Sequence, residues 1–237
     1  MEEFNKMENE LEADTRPELV LVPKYRFTRR TKKLPVYATI KRVLDILCSI
    51  AGLTVLAPLF AIVAIAIKAE DGGPVIHKRI CVGPDDKAYK MYKFRSMKVN
   101  ADKMFDMFTH EQMKRYKSGD KFVDDPRITK CGKIIRKFSI DELPQIFSVL
   151  KNDMSIIGPR PVVEREAQAY GMQKELLLSV KPGITGYWQV NGRSDIPFLS
   201  DEAKKLQLYY AQNISFMLDL KILLKTFKVV ICGKGAR

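Results

Sequence analysis

Ile46–Ile67 reads ILCSIAGLTVLAPLFAIVAIAI, 22 residues without a charge. As a helix rising about 1.5 Å per residue it is about 33 Å long, enough to cross a hydrocarbon core of about 30 Å. Runs this long and charge-free are usually membrane segments. A buried helix of a soluble protein is the alternative that pattern alone leaves open. The run starts too deep, and lacks the small-residue cleavage site, to be a signal peptide. Pro58 lies inside it, where proline removes a helical hydrogen bond and kinks the axis. Both flanks are basic, with Lys41 and Arg42 before it and Lys68, Lys78 and Arg79 after it. Positive charge beside membrane segments stays on the cytoplasmic side, so a re-entrant segment that dips in and returns satisfies both flanks better than a plain span. The span remains the second reading. Asp45, at the entrance, is placed to pair with Lys41 or Arg42.

Around this segment the charge is unevenly spread. The chain has 237 residues, 46% of them apolar, and a formal net charge of +13. That is enough apolar content for one domain with a real core, which excludes wholesale disorder. Four cysteines are too few for a disulfide scaffold. Residues 1–18 hold seven acids against two bases, a net −5, so the rest of the chain carries +18. From Leu19 to Leu44 there is no acid, while Lys24, Arg26, Arg29, Arg30, Lys32, Lys33, Lys41 and Arg42 supply eight bases. An anionic partner follows from this excess; which one does not.

Beyond the apolar run the pattern is that of a cytosolic domain. Glu70-Asp71-Gly72-Gly73-Pro74 reads as a turn. Val75–Val82 and Lys87–Phe94 read as strands joined in a hairpin at Gly83-Pro84-Asp85-Asp86. Ala101–Lys117 reads as a polar helix, with Met104, Met107 and Phe108 on one side, that stops near Ser118-Gly119. In Ile214–Ile231, Lys221, Lys225 and Lys228 form a basic stripe and apolar residues cover most other faces. Such a helix either lies in the headgroup plane or packs in the core, and the upstream apolar segment favours the interface. Cys48, Cys81, Cys131 and Cys232 lack CxxC spacing, and His77 and His110 lie far apart. This argues against a zinc site and against a Cys-His catalytic pair.

Chemistry therefore falls to carboxylates and bases, which gather in three clusters. In Lys93-Phe94-Arg95-Ser96-Met97, cations two residues apart on a strand point the same way and could hold a diphosphate; a solvated strand face is the plainer reading. In Arg136-Lys137-Phe138-Ser139-Ile140-Asp141-Glu142-Leu143-Pro144-Gln145, Ser139 and Glu142 have capping-box spacing ahead of an apolar run. The same residues place Asp141 at a helix start, where the dipole favours an ionised carboxylate able to attack phosphorus, with Glu142 free to hold a hard divalent cation. In Ser155-Ile156-Ile157-Gly158-Pro159-Arg160-Pro161, Pro159 and Pro161 clamp Arg160, which suits bidentate phosphate recognition, although proline-rich connections are also common loops.

Taken in order, KFRSM, FSIDELPQIFSVLKNDMSIIGPRP, VKPGITGYWQVNGRS and LDLKILLKTFKVV resemble the bacterial sugar transferase family, the monotopic polyprenyl-phosphate phosphoglycosyl transferases. The resemblance covers roughly Lys41 to Lys234, and the chain resembles the family's minimal form. It implies transfer of a sugar 1-phosphate from a UDP-sugar to undecaprenyl phosphate, giving UMP and an undecaprenyl diphosphate sugar at the start of exopolysaccharide, capsule, O-antigen or related glycan assembly. It implies that Asp141 forms a covalent phosphosugar intermediate, that Glu142 binds Mg2+, and that Lys93, Arg95, Arg136 and Arg160 hold substrate phosphates. Pro58 matches the proline that breaks the family's re-entrant helix, preceded here by Ala57 where many members carry Ser. The Gly183–Gly192 region is expected to shape the nucleotide or sugar pocket.

The expected fold is α+β, mainly α: a membrane-embedded re-entrant helix plus a small cytosolic domain with short strands and interfacial amphipathic helices. Its parts are an acidic tail and basic juxtamembrane segment (1–40), the re-entrant helix (41–70) and the catalytic domain with its C-terminal interfacial helix (71–237). The expected site is the cytoplasmic face of the bacterial inner membrane. The expected partners are the two substrates and an anionic membrane surface, with no nucleic acid; the sequence leaves the transferred sugar and the oligomeric state open. Two rival readings are a membrane-anchored nucleic-acid-binding protein, from the basic run, and a membrane-associated metal-dependent phosphatase using the same Asp and metal with water as acceptor.

Overall fold

A computed structural model describes residues 35–117, 125–192 and 196–231. The acidic tail, the bases from Lys24 to Lys33, the expected stop at Ser118-Gly119 and Cys232 lie outside the described residues.

The apolar run forms the centre of one long helix, α1 (Pro35–Asp71). It opens on a proline, a residue tolerated in a first turn, and ends where Gly72 takes a left-handed φ of 70° and donates its N–H to the Lys68 carbonyl at 2.9 Å. By length and composition α1 is able to cross a membrane, and only 11% of its apolar window is buried. The helix is continuous through Pro58, so the expected break does not end it. Just beyond the proline, the Phe60 ring sits 5.1 Å from that of Phe94. Asp45, Ser49, Val63 and Ile67 are buried along one stripe at helical spacing, while Val43, Leu47, Ile50, Val55, Ile62 and Ile65 remain exposed on the outer face.

Both ends of α1 are tied to the same body. Near its start, Arg42 donates to the Val149 and Leu150 carbonyls at 2.6 and 2.9 Å. Asp45 does not pair with Lys41 or Arg42 as expected; it accepts from the Ser155 hydroxyl at 3.1 Å and the Ile156 N–H at 3.0 Å. Those groups belong to strand β3, so the carboxylate answers a backbone donor that would otherwise be buried unpaired. At its end, Glu70 accepts from the backbone of Lys130 and Cys131 at 2.6 and 3.1 Å, and Asp71 takes the Arg95 guanidinium on both oxygens.

The expected hairpin is present: β1 (Ile76–Val82) and β2 (Ala88–Phe94) pair antiparallel, with Arg79 opposite Met91 and His77 opposite Lys93. Helix α2 is shorter than expected, His110–Lys117 rather than Ala101–Lys117. Thr109 and Gln112 cap each other reciprocally at 2.9 and 3.2 Å, which starts the helix there, and two short 3-10 turns fill Ala101–Lys103 and Phe105–Met107. Helix α3 (Lys130–Lys137) leads to a 3-10 turn, Ile140–Glu142, and then to α4 (Gln145–Leu150). Strand β3 (Ser155–Ile157) pairs in parallel with β4 (Gly183–Thr185) across the short helices α5 (Glu164–Gln168) and α6 (Lys174–Leu177). Helices α7 (Tyr187–Asn191), α8 (Asp201–Asn213) and α9 (Phe216–Ile231) complete the described residues.

Three apolar clusters hold these pieces. The largest joins α6, α8 and α9 through Leu176, Leu177, Tyr210 and Ile222. A second packs the hairpin on α4 through Cys81, Met91 and Val149, and a third binds α1 to β2 and α3 through Val63, Ile67, Phe94 and Ile135. Helix α9 has two characters at once: Ile222 is buried in the core, while Phe216, Met217, Leu220, Leu224 and Phe227 are exposed beside Lys221, Lys225 and Lys228. At its base, buried Asp219 accepts from Tyr37 at 2.5 Å, Lys41 at 2.6 Å and Tyr210 at 2.7 Å, tying α1 to α8 and α9. Asp219→Ala leaves the Lys41 ammonium uncompensated and is expected to cost about 3–5 kcal/mol. Chemical denaturation of the detergent-solubilised protein checks this, and a loss under about 1 kcal/mol would show that the node does not secure α1.

Candidate active site

The hairpin alternates, so Arg79, Met91 and Lys93 share one face of β1 and β2. That face lines a cleft closed on its other sides by Glu142 and Gln145, by Arg160 and Pro161, and by Ile184 and Gln189. Four stretches far apart in the sequence thus meet: the β1–β2 hairpin, the turn that leads into α4, the loop after β3, and the segment from β4 through α7.

Lys93 donates to Glu142 at 2.9 Å, both side chains being less than a fifth exposed. Arg160 is aimed from two directions. Its backbone N–H donates at 2.8 Å to Gln207, a buried residue itself held by Tyr170 at 2.6 Å. Its guanidinium lies 4.7 Å from the Phe198 ring centre and 5.7 Å from that of Trp188, a placement that cation–π attraction favours. With Arg79, which pairs with Glu166 at 2.8 Å, the cleft wall carries three cations.

The turn bearing Asp141 departs from expectation. Ser139 makes no capping bond with its side chain; it sits in the left-handed region at φ 56°, and Ile140–Glu142 is a 3-10 turn. Helix α4 begins only at Gln145, after Pro144, so Asp141 does not stand at its first turn. The nearby charge comes instead from Arg136, whose Nε donates to the Ser96 hydroxyl at 2.8 Å. Burial pushes the Arg136 pKa below its ordinary value, while the Asp141 and Asp125 carboxylates pull it back up. Arg95, expected beside Lys93, is turned away from the cleft. It is 7% exposed and is held by Asp71 and by the Pro74 and Met97 carbonyls. It acts as a strut between the end of α1 and the end of β2. Burial raises the Cys81 pKa, which keeps that thiol protonated.

Sequence reading missed Arg79, taken only as a flanking base, and also Gln145 and Gln189. The two glutamines lie within motifs quoted above, which was the available signal. Among the described residues no three His, Cys, Asp or Glu side chains gather as an all-protein metal cage. The Glu142 carboxylate in the cleft is of the kind that suits magnesium, which is commonly held by one or two carboxylates together with substrate phosphates.

The chain matches the family described as bacterial sugar transferase over residues 36–233. It belongs to that family. It is 46% identical over 198 residues to the galactosyl transferase CpsE of Streptococcus agalactiae, which covers 83% of this chain and 43% of the relative. It is 37% identical over 205 residues to the exopolysaccharide production protein ExoY of Sinorhizobium fredii, covering 85% and 90% of the two chains. It is 40% identical over 200 residues to the undecaprenyl-phosphate galactose phosphotransferase of Salmonella typhimurium, covering 83% and 41%. The chain therefore spans less than half the length of the Streptococcus and Salmonella relatives and most of the Sinorhizobium one.

Within this family member the arginine loop and the β4–α7 connection are held backbone to backbone. Gly158 donates to the Thr185 carbonyl at 2.9 Å and Gly183 to the Pro159 carbonyl at 2.8 Å. A Cβ on Gly186 would stand 1.9 Å from the Gly158 carbonyl oxygen, so this approach requires glycine for space. Gly186→Ala is expected to cost at least about 1–3 kcal/mol by overpacking and to misplace Arg160. Thermal unfolding and activity measured together check this; unchanged values in both would mean that the loops are not held by this contact.

Proposed function

We propose that this chain moves a sugar 1-phosphate from a UDP-sugar to undecaprenyl phosphate, releasing UMP and leaving an undecaprenyl diphosphate sugar, as an early membrane step of exopolysaccharide or related glycan synthesis. The observation that carries this reading is the cleft in which Arg79, Lys93 and Arg160 surround Glu142, next to Asp141 in sequence. Family membership and the names of the relatives support the same chemistry.

In this mechanism an Asp141 oxygen attacks the phosphorus that carries the sugar. The bond from that phosphorus to the bridging oxygen breaks, and the oxygen leaves with UMP. An oxygen of the polyprenyl phosphate then attacks the same phosphorus and the bond to Asp141 breaks, restoring the carboxylate. Both substrates are anionic and would repel a bare carboxylate, so Arg79, Lys93 and Arg160 act by screening the phosphates and stabilising transition-state charge. Arg136 stands on the Asp141 side of the turn and contributes positive charge there. The cleft is narrow, about 10 Å³. Seating a diphosphate there requires the Lys93–Glu142 pair to part and the cleft walls to open, because the closed cleft has room for about one water. Magnesium held by Glu142 would supply further charge neutralisation at the phosphates.

The acceptor lives in a bilayer, so its phosphate is met at the interface. Helix α1 serves as the membrane element, with both of its ends on one side. Its two ends bond to one body, and a plain crossing would drag polar groups of that body into hydrocarbon. The basic flanks assign that side to the cytoplasm. The exposed apolar residues of α9, with Lys221, Lys225 and Lys228 beside them, suit an anionic headgroup layer, each lysine contributing about 1 kcal/mol near the surface.

A UMP-release assay over a panel of UDP-sugars, with and without undecaprenyl phosphate, tests the reading. UDP-galactose is the first donor to try, because two of the relatives are named for galactose. Turnover is expected to need both acceptor and a divalent cation, and Asp141→Asn is expected to lower it by about 10³-fold or more. Full turnover by Asp141→Asn would remove the nucleophile assignment, and sugar phosphate release without lipid would make the protein a phosphatase.

A further inference from the structure

Lys93 and Glu142 each have a duty in the proposed reaction, yet in the closed cleft they hold one another. The Lys93 ammonium donates to Glu142 Oε1 at 2.9 Å, with both side chains less than a fifth exposed. Lys93 is the candidate for a donor phosphate, and Glu142 is the carboxylate that suits magnesium. While the pair is made, the ammonium is occupied by a carboxylate and that carboxylate by an ammonium. The surrounding space of about 10 Å³ admits neither a diphosphate nor a hydrated metal ion.

The charges lining the cleft decide which ligand parts the pair. Arg79, Lys93 and Arg160 line it, and Glu142 is the one carboxylate among the lining residues. A divalent cation arriving alone meets this positive excess and competes with an ammonium for its carboxylate, at a range where like charges repel. A diphosphate is drawn by the same three cations, and its oxygens offer the Lys93 ammonium new acceptors. Lys93 is also the partner able to move. Its ammonium ends a flexible four-carbon stem, whereas Glu142 sits in a 3-10 turn. That turn is closed by the Glu142 N–H on the Ser139 carbonyl at 3.2 Å and by the Leu143 N–H on the Ile140 carbonyl at 3.1 Å.

We infer that Lys93 guards the metal-binding carboxylate: it holds Glu142 until a diphosphate draws the ammonium onto its own oxygens, so that divalent cation and diphosphate enter the cleft together. This rests on the proposed sugar-phosphate transfer and adds to it how the site is filled. One side chain thereby serves two states, as the counter-charge of Glu142 in the closed cleft and as a phosphate ligand in the open one. Because coupling between two ligands is reciprocal, the diphosphate raises the affinity for the cation by the same factor as the cation raises the affinity for the diphosphate. A cation does not load first and leave Asp141 beside a metal with no donor to attack.

The test titrates the detergent-solubilised full chain with Mn2+, read by the loss of the free-ion electron paramagnetic resonance signal, with and without UDP. Lys93→Met keeps side-chain length and removes the ammonium. Without UDP it is expected to bind Mn2+ at least about 10-fold more tightly than wild-type enzyme, while Lys93→Arg stays as weak as wild type. Glu142→Gln added to Lys93→Met should abolish the gain. Lys93→Met is also expected to melt at a lower temperature than wild type and to recover on addition of Mn2+, which leaves the wild-type melting temperature unchanged. UDP should tighten Mn2+ binding more in wild type than in Lys93→Met. The direct attraction between metal and diphosphate is common to both proteins, so the difference isolates Lys93. Equal Mn2+ affinity of wild type and Lys93→Met without UDP overturns the inference, as does a gain that survives Glu142→Gln. Should Lys93→Met fail to fold, wild-type enzyme decides: Mn2+ bound as tightly without UDP as with it sinks the inference. If wild-type enzyme shows the coupling but releases no UMP from any UDP-sugar, the failure belongs to the proposed function instead.

Discussion

The structure depends on a long apolar helix whose two ends are bonded to one protein body. Asp45 answers the backbone of β3, Arg42 caps the carbonyls at the end of α4, and Glu70 and Asp71 reach the start of α3 and the buried Arg95. Each is a charged group satisfied by specific partners, and a buried charge left alone would be costly. Between them runs a stripe of buried residues, with an apolar outer face that no described residue covers. These ties bring α1 and the cleft into one arrangement. Ile67 and Val63 pack on Phe94, the residue directly after Lys93.

That arrangement gives the surplus positive charge distinct duties. Some of it is structural: Arg42, Arg95 and Lys41 are spent on carbonyls and carboxylates inside the fold. Some faces the cleft, where Arg79, Lys93 and Arg160 outnumber Glu142. Lys221, Lys225 and Lys228 on α9 are exposed beside apolar residues. On the proposed function, a diphosphate donor and a lipid surface are the two anionic partners that would divide this charge between them.

Much of this was legible in the sequence, and the exceptions have physical reasons. The hairpin followed from alternation bounded by Gly83 and Pro84, and the long apolar helix from its length. The turn at Asp141 was misread because Ser139 adopts a left-handed conformation, which its side chain does not announce. Arg95 was placed beside Lys93 because strand periodicity was carried one residue too far; β2 ends at Phe94, and the partner of Arg95 is Asp71, 24 positions earlier. Helix α2 begins late because the Thr109–Gln112 cap decides its start, and nothing before it competes. Gln145 and Gln189 were passed over because they carry no charge. Only tertiary structure shows that they share a cleft with three cations.

The arrangement of α1 is tested most directly by asking which side of the membrane its two ends occupy. Thr39 and Ala69 are exposed near opposite ends of the helix and accept a single introduced cysteine each, Thr39→Cys or Ala69→Cys, in a background with the native cysteines replaced. In sealed, oriented membrane vesicles, a membrane-impermeant maleimide should label both positions from the cytoplasmic side and neither from the other. Labelling of the two positions from opposite sides would show that the helix crosses the bilayer, and would contradict the account in which one body holds both of its ends.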